Sequence, residues 1–111
     1  MDITATRQDP FLILSVAGRV DASNAGTLEK TLLSAIDDGE RRIVVDCGPL
    51  EYISSAGLRA LLLAAKRLNP SGGKIGLAAL KDEIKEVFDI AGFSAIFRIF
   101  PTTTDAVHAL G

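Results

Sequence analysis

The chain has 111 residues, 48% of them hydrophobic and 23% charged, with 12 basic side chains against 14 acidic ones and a formal net charge of -2. One globular domain spanning residues 1–111 fits that profile; a second full-sized domain, a disordered chain and a nucleic-acid-binding surface do not. Cys47 is the single cysteine, which excludes an internal disulfide and leaves no thiol set for zinc.

The N-terminal stretch lacks a basic region followed by an apolar run, and no apolar segment approaches the ~20 residues needed to span a bilayer. A cytoplasmic protein with no membrane insertion is therefore expected. Asp2 to Arg7 is short and partly alternating, and Gln8-Asp9-Pro10 interrupts it, so a strand and a turn are predicted. Phe11 to Ala17 is strongly apolar and closes at Gly18, as a strand paired back onto the first one would. From Ser23, a candidate N-cap, the period becomes helical through Ala25, Leu28, Leu32 and Ala35, and Asp37-Asp38-Gly39 ends the run.

Arg42 to Asp46 is a β-branched strand, and Cys47 to Tyr52, with Gly48 and Pro49, is expected to be a loop. Leu58, Leu61, Leu62, Ala65 and Leu68 then form one apolar stripe, which predicts a helix from about Ser55 to Asn69. Pro70 to Gly73 stops it, and Lys74 to Ala78 is a short strand. A helix marked by Ile84, Val87, Phe88 and Ala91 ends at Gly92, a strand covers Ile96 to Phe100, and Thr103 is placed to cap a last helix carrying Ala106, Val107 and Leu110. The order β-β-α-β-α-β-α-β-α implies an α/β fold: a mixed, mostly parallel sheet with an N-terminal hairpin and about four helices covering at least one face.

The chemically informative segment is Asp46-Cys47-Gly48-Pro49-Leu50-Glu51-Tyr52-Ile53-Ser54-Ser55-Ala56-Gly57-Leu58: a strand ending in a carboxylate, a loop, then two hydroxyls where a helix begins. A helix N-terminus presents unpaired N–H groups and the positive end of the dipole, so Ser54 or Ser55 can cap it, and an added phosphate can be held there.

This string resembles the STAS domain family, the sulfate-transporter and anti-sigma-factor-antagonist module, whose motif is an Asp-ended strand, a loop, then Ser or Asp, Ser, a small residue, Gly and Leu. The likeness extends to Gly18-Arg19-Val20-Asp21 and to Ile90-Ala91-Gly92-Phe93 with Ile96 to Thr102, in the family's order and at the length of a stand-alone member. It implies a STAS-like single domain acting as an anti-sigma factor antagonist. The unphosphorylated form of such a protein binds an anti-sigma factor of the histidine-kinase-like ATPase type, which is also its serine kinase, and so frees a sigma factor. Phosphorylation switches it off, and a phosphoserine phosphatase resets it.

Aligned on Gly57-Leu58, the phosphoacceptor is Ser55. Ser54 falls where several antagonists carry Asp, a departure from the pattern. The resemblance places Asp21 and Asp46 beside the acceptor, and makes Ser54, Ala56, Gly57 and Leu58 the surrounding interface, with small Ala56 and Gly57 admitting a partner's backbone. Read without the family, Asp21 is a helix-entry cap and Asp46 a strand-end turn residue. The family also contains non-switching subunits and scaffolds, for example beside the ATPase of a lipid-trafficking transporter.

Enzymatic readings find little support. The only histidine, His108, lies three residues from the C-terminus, and Ile53-Ser54-Ser55-Ala56-Gly57 is not a nucleophile elbow. Cys47 has no arginine soon after it to hold a phosphate, so it is expected to be a half-buried core residue. Ser71-Gly72-Gly73-Lys74 lacks phosphate-loop spacing, and neither a metal nor a cofactor is expected.

Overall fold

The computed structural model describes Met1–Gly111. Strand β1 (Asp2–Gln8) turns at Asp9-Pro10 into β2 (Phe11–Val20), and the two pair antiparallel from Asp2 opposite Ala17 to Gln8 opposite Phe11. Helix α1 (Ala25–Asp37), β3 (Arg42–Asp46), β4 (Leu50–Ile53), α2 (Ser55–Leu68), β5 (Lys74–Ala78), α3 (Asp82–Ile90), β6 (Arg98–Phe100) and α4 (Thr103–Leu110) follow. The main sheet runs β1-β2-β3-β5-β6, parallel beyond the hairpin, with β4 attached to the far end of β2. The predicted α/β fold with its hairpin and four helices is present.

Strand periodicity splits the core between two faces. On β3, Ile43 and Val45 point into the large cluster with α1, α2 and α3, whereas Val44 points to a smaller one formed with Phe11, Ala78, Ala106 and Leu110. On β2, Leu14 and Val16 join the first cluster and Phe11 the second. Both faces of the central strands are covered, which is why these strands are nearly continuous apolar runs.

Four local expectations are corrected. The predicted loop from Cys47 to Tyr52 contains β4, because β2 does not close at Gly18 but continues to Val20 and offers that strand a partner. Gly18 adopts φ 87°, in the region only glycine enters freely, and the register shifts between it and Arg19. Ser23 does not cap α1: Asn24 occupies that position, and the Ser23 hydroxyl donates to Asp21 instead. Thr102, not Thr103, caps α4, accepting from the Asp105 N–H at 3.1 Å. Finally, Ile96 and Phe97 precede the last strand, lying after a short 3-10 turn over Phe93–Ala95.

Candidate functional site

β4 ends one residue before α2, so the chain reverses from sheet to helix at Ser54. Its N–H donates to the Val20 carbonyl at 2.8 Å, which fixes the start of α2 against the end of β2. Ser54 has the extended backbone of an N-cap (φ -85°, ψ 171°), and its Oγ accepts from the Gly57 N–H at 3.3 Å while its carbonyl accepts from the Leu58 N–H at 3.0 Å. The sequence leaves the cap open between Ser54 and Ser55; the structure assigns it to Ser54. Ser55 is therefore the first helical residue, exposed, with its hydroxyl spared from capping and standing at the positive end of the helix dipole.

The residues after Ser55 turn inward. Ala56 is half-buried, whereas Gly57 and Leu58 are buried, Leu58 within the main core. A Cβ on Gly57 would lie 2.7 Å from Ile53 Cγ1 and 2.8 Å from Val20 Cγ1, so the missing side chain serves the close approach of α2 to the sheet. Leu58 and Gly57 thus position the exposed Ser55 from beneath.

Asp21 follows the Val20 carbonyl that receives Ser54, which places it beside the start of α2. Its Oδ1 accepts from the Ser23 hydroxyl at 2.6 Å and the Ser23 N–H at 2.9 Å, and its main-chain carbonyl accepts from Asn24 and Ala25 at the entry to α1. The Ser23 hydroxyl, then the Ser23 N–H, hold the Asp21 carboxyl below the usual carboxylate range, with Arg19 adding a smaller contribution. Asp21 is thus a fixed negative charge at neutral pH.

Asp46 lies opposite Ser15 on β2, where β3 ends. Its Oδ1 accepts from the Gly48 N–H at 3.0 Å, closing the turn after β3. In this contact Asp46 takes the part of a strand-end turn residue. Cys47 next to it is 1% exposed, fully buried rather than half-buried, and burial followed by the Asp46 charge pushes its thiol up to about 12.

Two residues lie inside the quoted motif strings without being singled out there as site residues. Arg19 and Tyr52 are register partners on β2 and β4, and the guanidinium lies 4.3 Å from the ring centroid. They form a cationic, aromatic pair on β2 and β4, one residue before Val20 and Ile53. The only available signal is that this is the sole tyrosine, set in an alternating stretch that Gly48 and Pro49 disguise as a loop. Lys81 secures the other side of β4, its Nζ donating to the Leu50 carbonyl at 3.2 Å.

The start of α2 thus presents an exposed serine at a helix N-terminus, with Asp21 following the carbonyl that anchors it. The family model for the STAS domain matches residues 2–106, and the chain belongs to that family. It is 46% identical over 99 residues to a protein assigned as the anti-sigma factor antagonist BtrV of Bordetella bronchiseptica, covering 89% of this chain and 85% of that one. To the anti-sigma-F factor antagonist RsfB of Mycobacterium tuberculosis it is 26% identical over 105 residues, covering 95% and 85% of the two chains. The crystal structure of an anti-sigma factor antagonist from Mycobacterium paratuberculosis superposes with a TM-score of 0.90 at 25% identity, over 98% of this chain and 92% of that one. These relatives are named as regulators, not enzymes. No helix of the present chain is long and apolar enough to cross a membrane.

Proposed function

We propose that this protein is an anti-sigma factor antagonist whose unphosphorylated form binds an anti-sigma factor of the histidine-kinase-like ATPase type and thereby releases a sigma factor. Phosphorylation of Ser55 by that same partner switches it off, a phosphoserine phosphatase restores it, and the protein itself catalyses nothing. The observation that carries this reading is the division of labour at α2: Ser54 takes the cap, so Ser55 can receive a phosphoryl group without the helix losing its N-terminal hydrogen bond. The γ-phosphoryl of the kinase's ATP passes to the Ser55 oxygen, the hydroxyl proton goes to a kinase base, and ADP leaves.

The added group carries about -1.5 to -2 charges. It arrives beside Asp21, already anionic, on a surface that must meet another protein. A partner face shaped for a neutral hydroxyl then opposes desolvated like charge, and a penalty of about 4 kcal/mol weakens affinity roughly a thousandfold. Half-buried Asp21, Ser54 and Ala56 would form the interface around exposed Ser55, with Gly57 and Leu58 supporting it from below.

The test is affinity capture from the native host's lysate with wild-type, Ser55→Ala and Ser55→Asp baits, read by mass spectrometry. A kinase-like anti-sigma factor retained by wild type and Ser55→Ala but lost from Ser55→Asp is the expected result. Equal retention of one partner by all three baits would reduce Ser55 to an ordinary helix residue.

A further inference from the structure

A groove of about 610 Å³ opens where the last two turns of α2 meet the starts of β5 and β6 and the end of α4. It exists because β6 is short: pairing with β5 begins at Gly76 opposite Arg98, so Lys74 and Ile75, paired to β3 on one side, have no strand on the other. The floor and walls are aliphatic, formed by Leu62, Ala65, Ile75, Ile96 and Leu110. Ile96, 54% exposed, is one of the few large apolar side chains the molecule presents to water.

The rim is cationic. Lys66, Lys74 and Arg98 line the groove and no acidic residue does, in a chain that has 14 acidic side chains against 12 basic ones. None of the three has a carboxylate partner: the ion pairs of the molecule are Arg7 with Asp9, Arg7 with Glu40, and Arg67 with Asp37. Neighbouring Arg67 is paired while Lys66, one residue earlier, faces the groove unpaired. Arg98 is steadied by the Phe100 ring, 5.3 Å from its centroid.

We infer that this groove binds a single alkyl-chain anion from solution, with the chain on the aliphatic floor and a carboxylate or phosphate head held by Lys66, Lys74 and Arg98. The volume falls in the range of small-molecule sites, about 300 to 1,000 Å³, and an apolar lining with a few convergent polar groups is their usual construction. A walled aliphatic floor suits a flexible chain, and three cations without acidic competitors suit a concentrated negative head. The site is separate from the phosphoserine region and does not rest on it. Leu62 lies two turns from Ser55, about 10 Å along the helix, and Asn69 about 21 Å.

Isothermal titration of the full chain with monomeric dodecanoate tests the inference, with amide chemical shifts locating the bound chain. Saturable binding is expected, with shifts centred on Ala65, Ile75 and Ile96. Lys66→Gln with Lys74→Gln should weaken it by about tenfold or more, and Ile96→Ser, at an exposed position, should weaken it without unfolding the protein. Ser55→Ala should bind as wild type does. A lack of saturable binding, equal affinity for an uncharged dodecyl maltoside, unchanged affinity in the lysine double variant, or adsorption only to anionic phosphatidylglycerol vesicles would each overturn it.

Discussion

Gly57→Ala opposes two effects of known size. In a helix, alanine is favoured over glycine by about 1 kcal/mol, somewhat less in the first turn, where Gly57 sits. Against this, the new methyl group would lie 2.7 Å from Ile53 Cγ1 and 2.8 Å from Val20 Cγ1. Both are atoms close to the backbone on β-branched side chains with few rotamers, so relief requires α2 to move off β2 and β4. Overpacking of that kind costs about 1–3 kcal/mol, and a net loss of about 1–2 kcal/mol is expected. At about 4 °C per kcal/mol for a chain of this length, the midpoint should fall by about 4–8 °C. Gly26→Ala supplies the contrast: it is also in a first helical turn, but nothing lies within 4 Å of its new Cβ. It should gain about 0.5 kcal/mol. Urea unfolding of both variants and wild type, with a common m-value, decides the matter. A Gly57→Ala protein as stable as wild type, or a Gly26→Ala protein less stable, would refute the assignment of Gly57 to helix–sheet packing.

Ser54→Ala removes the cap of α2 and should cost about 1 kcal/mol, whereas Ser55→Ala should stay within about 0.5 kcal/mol of wild type; denaturant midpoints compare them directly. Stability should also fall as pH rises above about 9, because the unfolded chain releases the Cys47 proton there while the folded chain holds it until about 12. Unfolding curves at successive pH values should show this decline attenuated in Cys47→Ala, and the native thiol should resist alkylation until the protein unfolds. For Asp21 the sign is opposite: its folded pKa lies below the ordinary 3.8, so its contribution is present above that value and lost as pH falls through the folded pKa. A carboxyl-carbon titration by NMR should find Asp21 below 3.8, and Ser23→Ala should move it back up.

The features legible in the sequence are those with a strong period or a strong local rule. The α2 stripe of Leu58, Leu61 and Leu68 needs only its 3.6-residue spacing to be placed, and all three side chains are buried. Capping chemistry puts the serine pair at the helix start, but which serine caps depends on where the Val20 carbonyl meets the chain, a contact 34 residues apart in sequence. The same tertiary origin explains β4: Gly48 and Pro49 are genuine turn residues, and only the continuation of β2 past Gly18 turns the stretch after them into a strand.

The way α2 is held limits how a charge on Ser55 can act. Leu58, Leu61 and Leu68 anchor the helix to the sheet with at most 6% of any of them exposed, and each such side chain contributes about 1.5–3 kcal/mol by burial. A phosphate at the helix N-terminus interacts favourably with the dipole, by about 1 kcal/mol at an exposed site. Arg59, one turn along and exposed, adds an i,i+4 attraction of a few tenths of a kcal/mol. Both effects favour the helix where it already is, and neither approaches the energy needed to lift three buried leucines. The charge therefore acts through the surface it changes and not through a movement of α2, so the proposed switch is an added negative charge on a fixed scaffold. That is the arrangement in which the folded domain remains the same for kinase, phosphatase and antagonised partner, and only the face beside Asp21 differs among the encounters.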